Sequence, residues 1–485
     1  MRPRIAVIGG GISGLAAAYE LANSRSPVEV VLLEAGKRLG GVLETVQQDG
    51  FLIESAADNF LTKPTAAVEL CQRVGLEESL IVPDTMRRKA FVVHNGTLQP
   101  IPAGFLVMAP SRIGPMLSTR LLTVRGKLRL ALEYFIPRNR NGEDESIASF
   151  IRRRFGSEIF ARLVQPLVGG IYGADLEQLS IDATMPRFRD MEQEHRSLIR
   201  AMLRQRRTQI HEACSGARYG QFAALRNGMS SLVGALARCL PPESIQLASP
   251  VDRIAQSGDR GWLITIGGAR PRRQEIDALI LATPAYAAAK LVEDIDSELA
   301  DRLAQIEYTS CAVVSLGYRR WQIKHPLDGF GFVVPLIEQR NVFSCSFSSI
   351  KYEGRAPDNS VLMRVYIGGA CQNRLLQLSN GELVELAALE LRDLLDIDGG
   401  PVLQHVTRHH RAMAQYRVGH RDLVATVNLR LQRFPTLALA GSAYQGVGVP
   451  SCIQSGQAAA NQLLSRLKAH LARPVHAQVE AEAVV

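Results

Sequence analysis

Hydrophobic positions are not spread evenly along the chain. It opens on a short apolar run, Ile5-Ala6-Val7-Ile8, then a cluster of glycines, then the small-residue stretch Leu15 to Ala22. An unbroken apolar run of that length predicts a strand buried on both faces, and the small residues predict a helix packed closely on it. Val28 to Leu33 repeats the strand pattern. From Val42 to Phe60 apolar and polar positions alternate, with Gln47-Gln48-Asp49-Gly50 between, which predicts two strands and a turn. Lys63-Pro64 predicts a helix start, with the helix running through Leu70 to Val74 and stopping at Gly75. Arg88 to Val93 and Thr97 to Ile101, joined at Asn95-Gly96, predict a hairpin, because Asn-Gly readily adopts the positive φ values of a two-residue turn.

After Pro102 the pattern becomes mostly helical until about Arg226, as an inserted lobe would be. Pro110 to Ile136 mixes Leu, Met and Ile with Arg112, Arg120, Arg125, Lys127 and Arg129. This basic amphipathic pattern suits the core of a helical lobe or a membrane interface. Arg138 to Asp144 reads as a loop, Ser146 or Asp144 as the cap of a helix to Phe155, and a further helix runs from Glu158 towards Val168-Gly169-Gly170-Ile171-Tyr172-Gly173. Beyond Arg226 the pattern is mixed. Helices are predicted at Gly228 to Leu240, Glu382 to Leu395 and Gln454 to Leu471, and strands at Ile245 to Leu247, Pro250 to Ile254, Asp277 to Ala282 and Thr436 to Ala440. Ala312 to Ile367 is rich in strands and is expected to form a separate sheet walling a substrate pocket.

At 485 residues the chain exceeds the ~250–300 at which one core stops growing, so several lobes are expected. A 46% hydrophobic and 21% charged composition places it among globular proteins. The seven cysteines are scattered without a C-x-x-C pair and suit buried thiols of a reducing, cytoplasmic compartment. No metal cluster emerges, and His409-His410 reads as a solvated or locally bonded pair. No cleavable leader precedes the first strand, and the longest apolar stretch, Ala278 to Ala289, is shorter than the ~20 residues a spanning helix needs. The net charge of +9, much of it between Arg187 and Arg226, fits a solvated helix face or attraction to an anionic substrate or membrane surface. Few aromatics accompany it, so nucleic acid is not an expected partner. Oligomeric state is left open, a homodimer included.

Chemistry enters with the glycines. Gly9-Gly10-Gly11-Ile12-Ser13-Gly14 lies between the first strand and the first helix. Gly9 permits the tight turn, Gly11 lets backbone approach a pyrophosphate, and Gly14 allows close helix–strand packing. The helix start supplies free amides and a positive dipole end for a diphosphate. Glu34 follows Gly14 by 20 residues at the end of the second strand, where a carboxylate accepts bonds from ribose hydroxyls. Ala35-Gly36-Lys37-Arg38-Leu39-Gly40-Gly41 then turns the chain back, its paired glycines suited to close backbone approach. The expected fold is α/β. Residues 1–62, 227–290 and 406–472 form a Rossmann-type dinucleotide-binding domain, 63–101 and 291–405 a mixed-sheet substrate domain, 102–226 the helical lobe, and 473–485 a flexible tail.

The glycine loop, Glu34 and Arg38-x-Gly40-Gly41 resemble the FAD-dependent oxidase superfamily that includes amine oxidases. Three further stretches are similar to the oxygen-dependent protoporphyrinogen and coproporphyrinogen III oxidases of haem synthesis. They are Asp144-Glu145-Ser146 with Phe150 to Gly156, Pro166 to Asp175 with Leu179-Ser180, and Gly441 to Ile453. Tyr416-Arg417-Val418-Gly419-His420 adds a fourth, and the resemblance covers nearly the whole chain. It implies FAD, with Gly9, Gly10, Gly11, Ile12, Ser13 and Gly14 on the diphosphate, Glu34 and Ala35 at the adenosine ribose, and Arg38, Gly40, Gly41 and Val42 beneath the cofactor. Asp58 and Asn59 would approach the flavin, Val251 the adenine, and Val447, Gly448 and Val449 the isoalloxazine. Ala56-Ala57 departs from the family's usual glycine-containing pair, which puts the backbone path there in doubt.

The implied reaction removes six hydrogens from a porphyrinogen in three two-electron rounds, each closed by molecular oxygen with release of hydrogen peroxide. No protein nucleophile is required, so no catalytic side chain is assigned; the protein supplies position, a dry pocket and anion anchors. Gly170 matches a family position beside the macrocycle, and reads equally as a helix C-cap. Lys63 and Lys89 are the candidate partners of the propionates, against readings as a first-turn helix residue and a solvated strand residue. Ala90 stands where the protoporphyrinogen enzymes carry an arginine, so that anchor has moved or is absent. The basic balance and Gly446 to Pro450 favour the bacterial coproporphyrinogen type. Two alternatives stand: an amine oxidase or desaturase, with an aromatic cage and a lysine bonded through water to the flavin, and a non-catalytic flavin- or porphyrin-binding partner protein. Peripheral contact with the cytoplasmic membrane face is compatible with each.

Overall fold

Ile5, Ala6 and Val7 have no exposed surface, which places the strand Arg4–Ile8 in the middle of a sheet. A computed structural model describes residues 2–84, 86–87, 89–139, 142–208, 222–258 and 261–471. Five parallel strands lie in the order Ile245–Gln246, Glu29–Leu33, Arg4–Ile8, Ala278–Leu281 and Leu437–Leu439. The sheet therefore draws on both ends and the middle of the chain. Two helices close one face, Ile12–Ala22 and Val449–Leu471, and they cross closely because Gly456 has no side chain: a Cβ there would stand 2.1 Å from the Ser13 carbonyl oxygen.

A seven-stranded mixed sheet forms the second layer, in the order Leu403–Ala414, Tyr308–Arg319, Ser360–Gly368, Ser344–Ser346, Gly329–Val333, Lys89–His94 and Thr97–Pro100. Its period-two alternation separates two faces. Val314, Leu316, Met363 and Val365 pack with Leu383, Ala387 and Leu391 of the helix Asn380–Leu395. Arg364, between the last two strand residues, faces the other way and reaches the Ala56 carbonyl oxygen. The strand Leu403–Ala414 was not expected from the pattern, because it is a polar edge strand carrying His405, Arg408, His409 and His410. Behind Val251–Ser257 two more strands, Gly261–Ile266 and Arg272–Ile276, complete an antiparallel sheet of which only the first strand was expected.

Boundaries shift where caps decide them. The helix Ala66–Arg73 begins after Pro64 rather than at it, and the last helix starts at Val449 rather than Gln454, with Pro450 in its first turn. Ser146, not Asp144, caps the helix Ile147–Phe155 by accepting from Ser149 N; the Asp144 carboxylate accepts from Gly419 N instead. The glycine-rich helix Gln165–Tyr172 ends at Gly173, whose φ of 56° makes it the left-handed cap. Gly170 lies inside that helix, so its C-cap reading is overturned. The tail from Pro474, Cys214, Arg88 and the basic residues between 209 and 221 lie outside the described residues.

The helical lobe is held by buried charge. Arg153, Arg154 and Arg189 pair with Glu133, Glu145 and Glu192, so part of the basic stretch after Arg187 is internal rather than a solvated face. Arg129 donates to the carbonyl oxygens of Arg152, Arg153 and Arg154, satisfying the end of their helix. The other side of the helix Val124–Leu132 is bare: Val124, Leu128 and Leu132, at four-residue spacing, are 74%, 63% and 56% exposed, and Phe135 continues the stripe.

Candidate functional site

The three glycines of the loop differ in what surrounds them. Gly9 has φ of 109°, and a Cβ there would meet the Ala282 carbonyl oxygen at 2.7 Å. At Gly14 a Cβ would meet the Gly9 carbonyl oxygen at 1.9 Å, so this glycine is required by packing within the protein. A Cβ on Gly11 would meet nothing within 4 Å. Gly11 is the N-cap of the helix Ile12–Ala22, and no side chain caps that helix. The open space thus lies over uncapped amides at the positive end of a helix dipole, the donor set a diphosphate requires. The second glycine pair closes on the first, with Gly40 N donating to Gly10 O at 2.8 Å and Gly11 bridging to Gly40. A diphosphate fits this cradle on its chemistry and its shape.

Glu34 stands beside it. Its carboxylate accepts from Gly10 N at 2.7 Å and from Gly36 N at 2.6 Å. Those bonds fix its orientation and leave lone pairs on both oxygens for ribose hydroxyls. Ala35 and Val42 are exposed on either side of the turn. The Arg38 guanidinium donates to the carbonyl oxygens of Leu39 and Leu43, each at 3.2 Å, and pairs with Glu44, so it braces the Gly40-Gly41 turn. Ser249 N donates to Glu34 O and Ala248 N to Gly36 O, which brings the segment leading to Val251 against the same edge.

The ribbon Ser55 to Asn59 is anchored from the far sheet. His409 bonds Ser55 O at 2.8 Å through Nε2, Arg364 donates to Ala56 O, and Lys351 Nζ lies 3.1 Å from Asp58 Oδ2. Burial alone would raise the Asp58 carboxyl, but Lys351 and then Arg364 hold it below its ordinary value. Asp58 is therefore an ionised brace, its carboxylate committed to protein cations, and Asn59 beside it is half-buried. The Ala56-Ala57 departure is accommodated: Ala56 offers its carbonyl to Arg364 and both alanines remain half-buried. His409 belongs to this site rather than to solvent, and burial lowers its pKa below the ordinary imidazole value; His410 is exposed.

The C-terminal arm is clamped by Tyr416. Its hydroxyl accepts from Gly446 N and donates to Ser442 O, both at 2.6 Å, while its ring stacks on His420 at 4.1 Å. Burial pushes the His420 pKa down to about 4, despite a backbone bond to Ala443. Val447, Gly448 and Val449 follow this clamp directly and lead into the helix that crosses Ile12–Ala22, with Gly441 N donating to Ser455 Oγ at 3.0 Å. Residues from both ends of the chain therefore meet at one place.

The three expected substrate residues do not. A Cβ on Gly170 would lie 3.9 Å from Val333 and 4.0 Å from Ser344, across a narrow cleft between the helix and the seven-stranded sheet. Lys89 lines a different cavity and pairs with Asp328 at 2.6 Å. Lys63 is exposed in the turn before Ala66–Arg73. Lys351, Arg364, Tyr416 and His420 are residues of the site that were not assigned from sequence. One signal was present: Arg364 is a charge inside the apolar run Val361 to Ile367, which demands a buried partner.

The chain from residue 12 to 464 matches the model of the flavin containing amine oxidoreductases. It is 32% identical to the coproporphyrinogen III oxidase of Bacillus subtilis, over 96% of this chain and 99% of that one. It is 27% identical to the mitochondrial protoporphyrinogen oxidase of Nicotiana tabacum, over 96% and 95% of the two chains. A crystal structure from Exiguobacterium sp. 255-15, provisionally assigned as a protoporphyrinogen oxidase, superposes with a TM-score of 0.85 at 29% identity, covering 96% of this chain and 99% of that one. With the open cradle over Gly11 and the two chain ends closing on it, the chain belongs to the flavin containing amine oxidoreductase family.

Proposed function

We propose that this chain binds FAD and oxidises a porphyrinogen to its porphyrin in haem biosynthesis, with coproporphyrinogen III as substrate and molecular oxygen as acceptor. The observation that carries the reading is the match with the Bacillus subtilis oxidase over 96% of this chain and 99% of that one. In this reading Gly9 to Gly14 receives the diphosphate and Glu34 the adenosine ribose. Arg38 holds the Gly40-Gly41 turn in place, the braced ribbon Ala56 to Asn59 and the Tyr416-clamped arm at Val447 to Val449 border the flavin ring, and Val251 lies on the adenine side. When bound, FAD accepts two electrons at a time, so six-electron oxidation consumes three oxygen molecules and yields three of hydrogen peroxide. The protein orients the macrocycle and excludes water.

Purified protein incubated in air with each porphyrinogen should accelerate porphyrin fluorescence over the autoxidation control, more strongly with coproporphyrinogen III. An oxygen electrode should record matching consumption. Unaccelerated fluorescence with both substrates would return the reading to an amine oxidase or to a non-catalytic porphyrin-binding protein.

The bare stripe at Val124, Leu128, Leu132 and Phe135 supports a peripheral membrane contact, with Arg125 exposed beside it to meet anionic headgroups. No helix among the described residues is long and apolar enough to cross a membrane. Flotation with phosphatidylglycerol vesicles in low salt should carry the protein upward, and Leu128→Glu should leave it at the bottom. Wild-type protein that stays at the bottom rules the contact out.

A further inference from the structure

The strand Lys89–His94, its hairpin partner Thr97–Pro100 and the helix Gly114–Ser118 border a cavity of about 450 Å³. Pro100, Ile101, Pro102 and Pro115 give it apolar surface, Ser118 and Thr119 bring hydroxyls, and two cations reach it, Lys89 and Arg120. The cations are not equivalent. Lys89 is bonded to Asp328, and that bond, ahead of a smaller opposing effect of burial, holds the Asp328 carboxyl below its ordinary value, so the pair is charge-balanced. The exposed Arg120 side chain makes no hydrogen bond or ion pair among the described residues. Ala90 lines the same cavity and offers no polar side chain.

A volume in the range of ligand pockets, apolar prolines and one uncompensated guanidinium define a site for an amphipathic carboxylate. We propose that Arg120 anchors a carboxylate arm of a tetrapyrrole in this cavity, supplying from the helical lobe the cation that the strand lacks at Ala90. The proposal rests on the porphyrinogen reading for the ligand's class. Lys89 is then a structural partner of Asp328 rather than the anchor.

The test uses full-length, flavin-loaded protein without oxygen, titrated with coproporphyrin III and followed by porphyrin fluorescence. Arg120→Gln should weaken binding by about tenfold, the size of one lost charge-assisted bond. Arg120→Lys should recover part of that loss, and Lys324→Gln, which removes a surface charge paired with Asp396, should bind as wild type. The tetramethyl ester of coproporphyrin should not distinguish wild type from Arg120→Gln. Equal affinity of wild type and Arg120→Gln for the free acid would overturn the assignment. Because binding is read without turnover, a protein that binds through Arg120 but oxidises neither porphyrinogen would end the oxidase reading and keep the site. One that oxidises coproporphyrinogen with Arg120-independent affinity would do the reverse.

Discussion

Gly11→Val is expected to give a folded protein that purifies without flavin. Gly11 has φ of −68° and ψ of 176°, an extended conformation open to any residue, and its Cβ direction is empty to 4 Å. The substitution therefore costs the protein little by itself. Its methyl groups occupy the space over the uncapped amides of Ile12–Ala22, where the diphosphate is expected. Losing two charge-assisted bonds at about 1.5–3 kcal/mol each corresponds to roughly a hundredfold or more in affinity. The measurements are flavin per chain from visible absorbance and fold from circular dichroism. Gly14→Ala provides the contrast: its Cβ would meet the Gly9 carbonyl oxygen at 1.9 Å, so it should lower stability and flavin content together. A Gly11→Val protein carrying a full complement of flavin would show that the cradle is not the diphosphate site.

That contrast explains why one half of the site was legible in the sequence and the other was not. The glycine loop and Glu34 lie within one strand–helix–strand unit, so covalent spacing alone dictates their geometry. The segment Ala56 to Asn59 was assigned through the resemblance, but its anchors were not: Lys351 reaches Asp58 across 293 residues, Arg364 reaches Ala56 across 308 and His409 reaches the adjoining Ser55 across 354. No local pattern encodes a partner at that distance. Strands that follow the apolar pattern, such as Ala278–Leu281, were found within a residue or so, whereas the edge strand Leu403–Ala414 was hidden because its stability comes from pairing along Tyr308–Arg319 rather than from its own apolar residues. The surroundings of the expected substrate residues were hidden for a related reason. Asp328 pairs with Lys89 and the turn exposes Lys63, neither of which local spacing encodes, and Arg120, proposed above as an anchor, comes from a lobe whose docking the sequence does not specify.

Glu133→Ala should destabilise the helical lobe by about 3–5 kcal/mol, the cost of removing one partner of a buried ion pair. Glu133 is fully buried in the turn Glu133–Phe135. One carboxylate oxygen accepts from Arg154 Nε at 2.9 Å and Leu198 N at 2.8 Å, the other from Ser197 Oγ at 2.6 Å and Ile199 N at 3.3 Å. It therefore binds the helix Ile147–Phe155 to the start of Leu198–Thr208. Alanine leaves a buried guanidinium short of its carboxylate and two backbone amides without acceptors. Glu133→Gln retains an acceptor and should lose less, which separates the hydrogen-bonding part from the charge. Because a chain of several lobes need not unfold in one step, amide hydrogen exchange at Leu198 and Ile199 is the suitable measurement. Unchanged protection of those amides in Glu133→Ala would refute the argument. The same residue precedes Tyr134 and the exposed Phe135, so loosening it should also weaken vesicle flotation while the flavin content stays that of wild type, the glycine cradle being built from other elements.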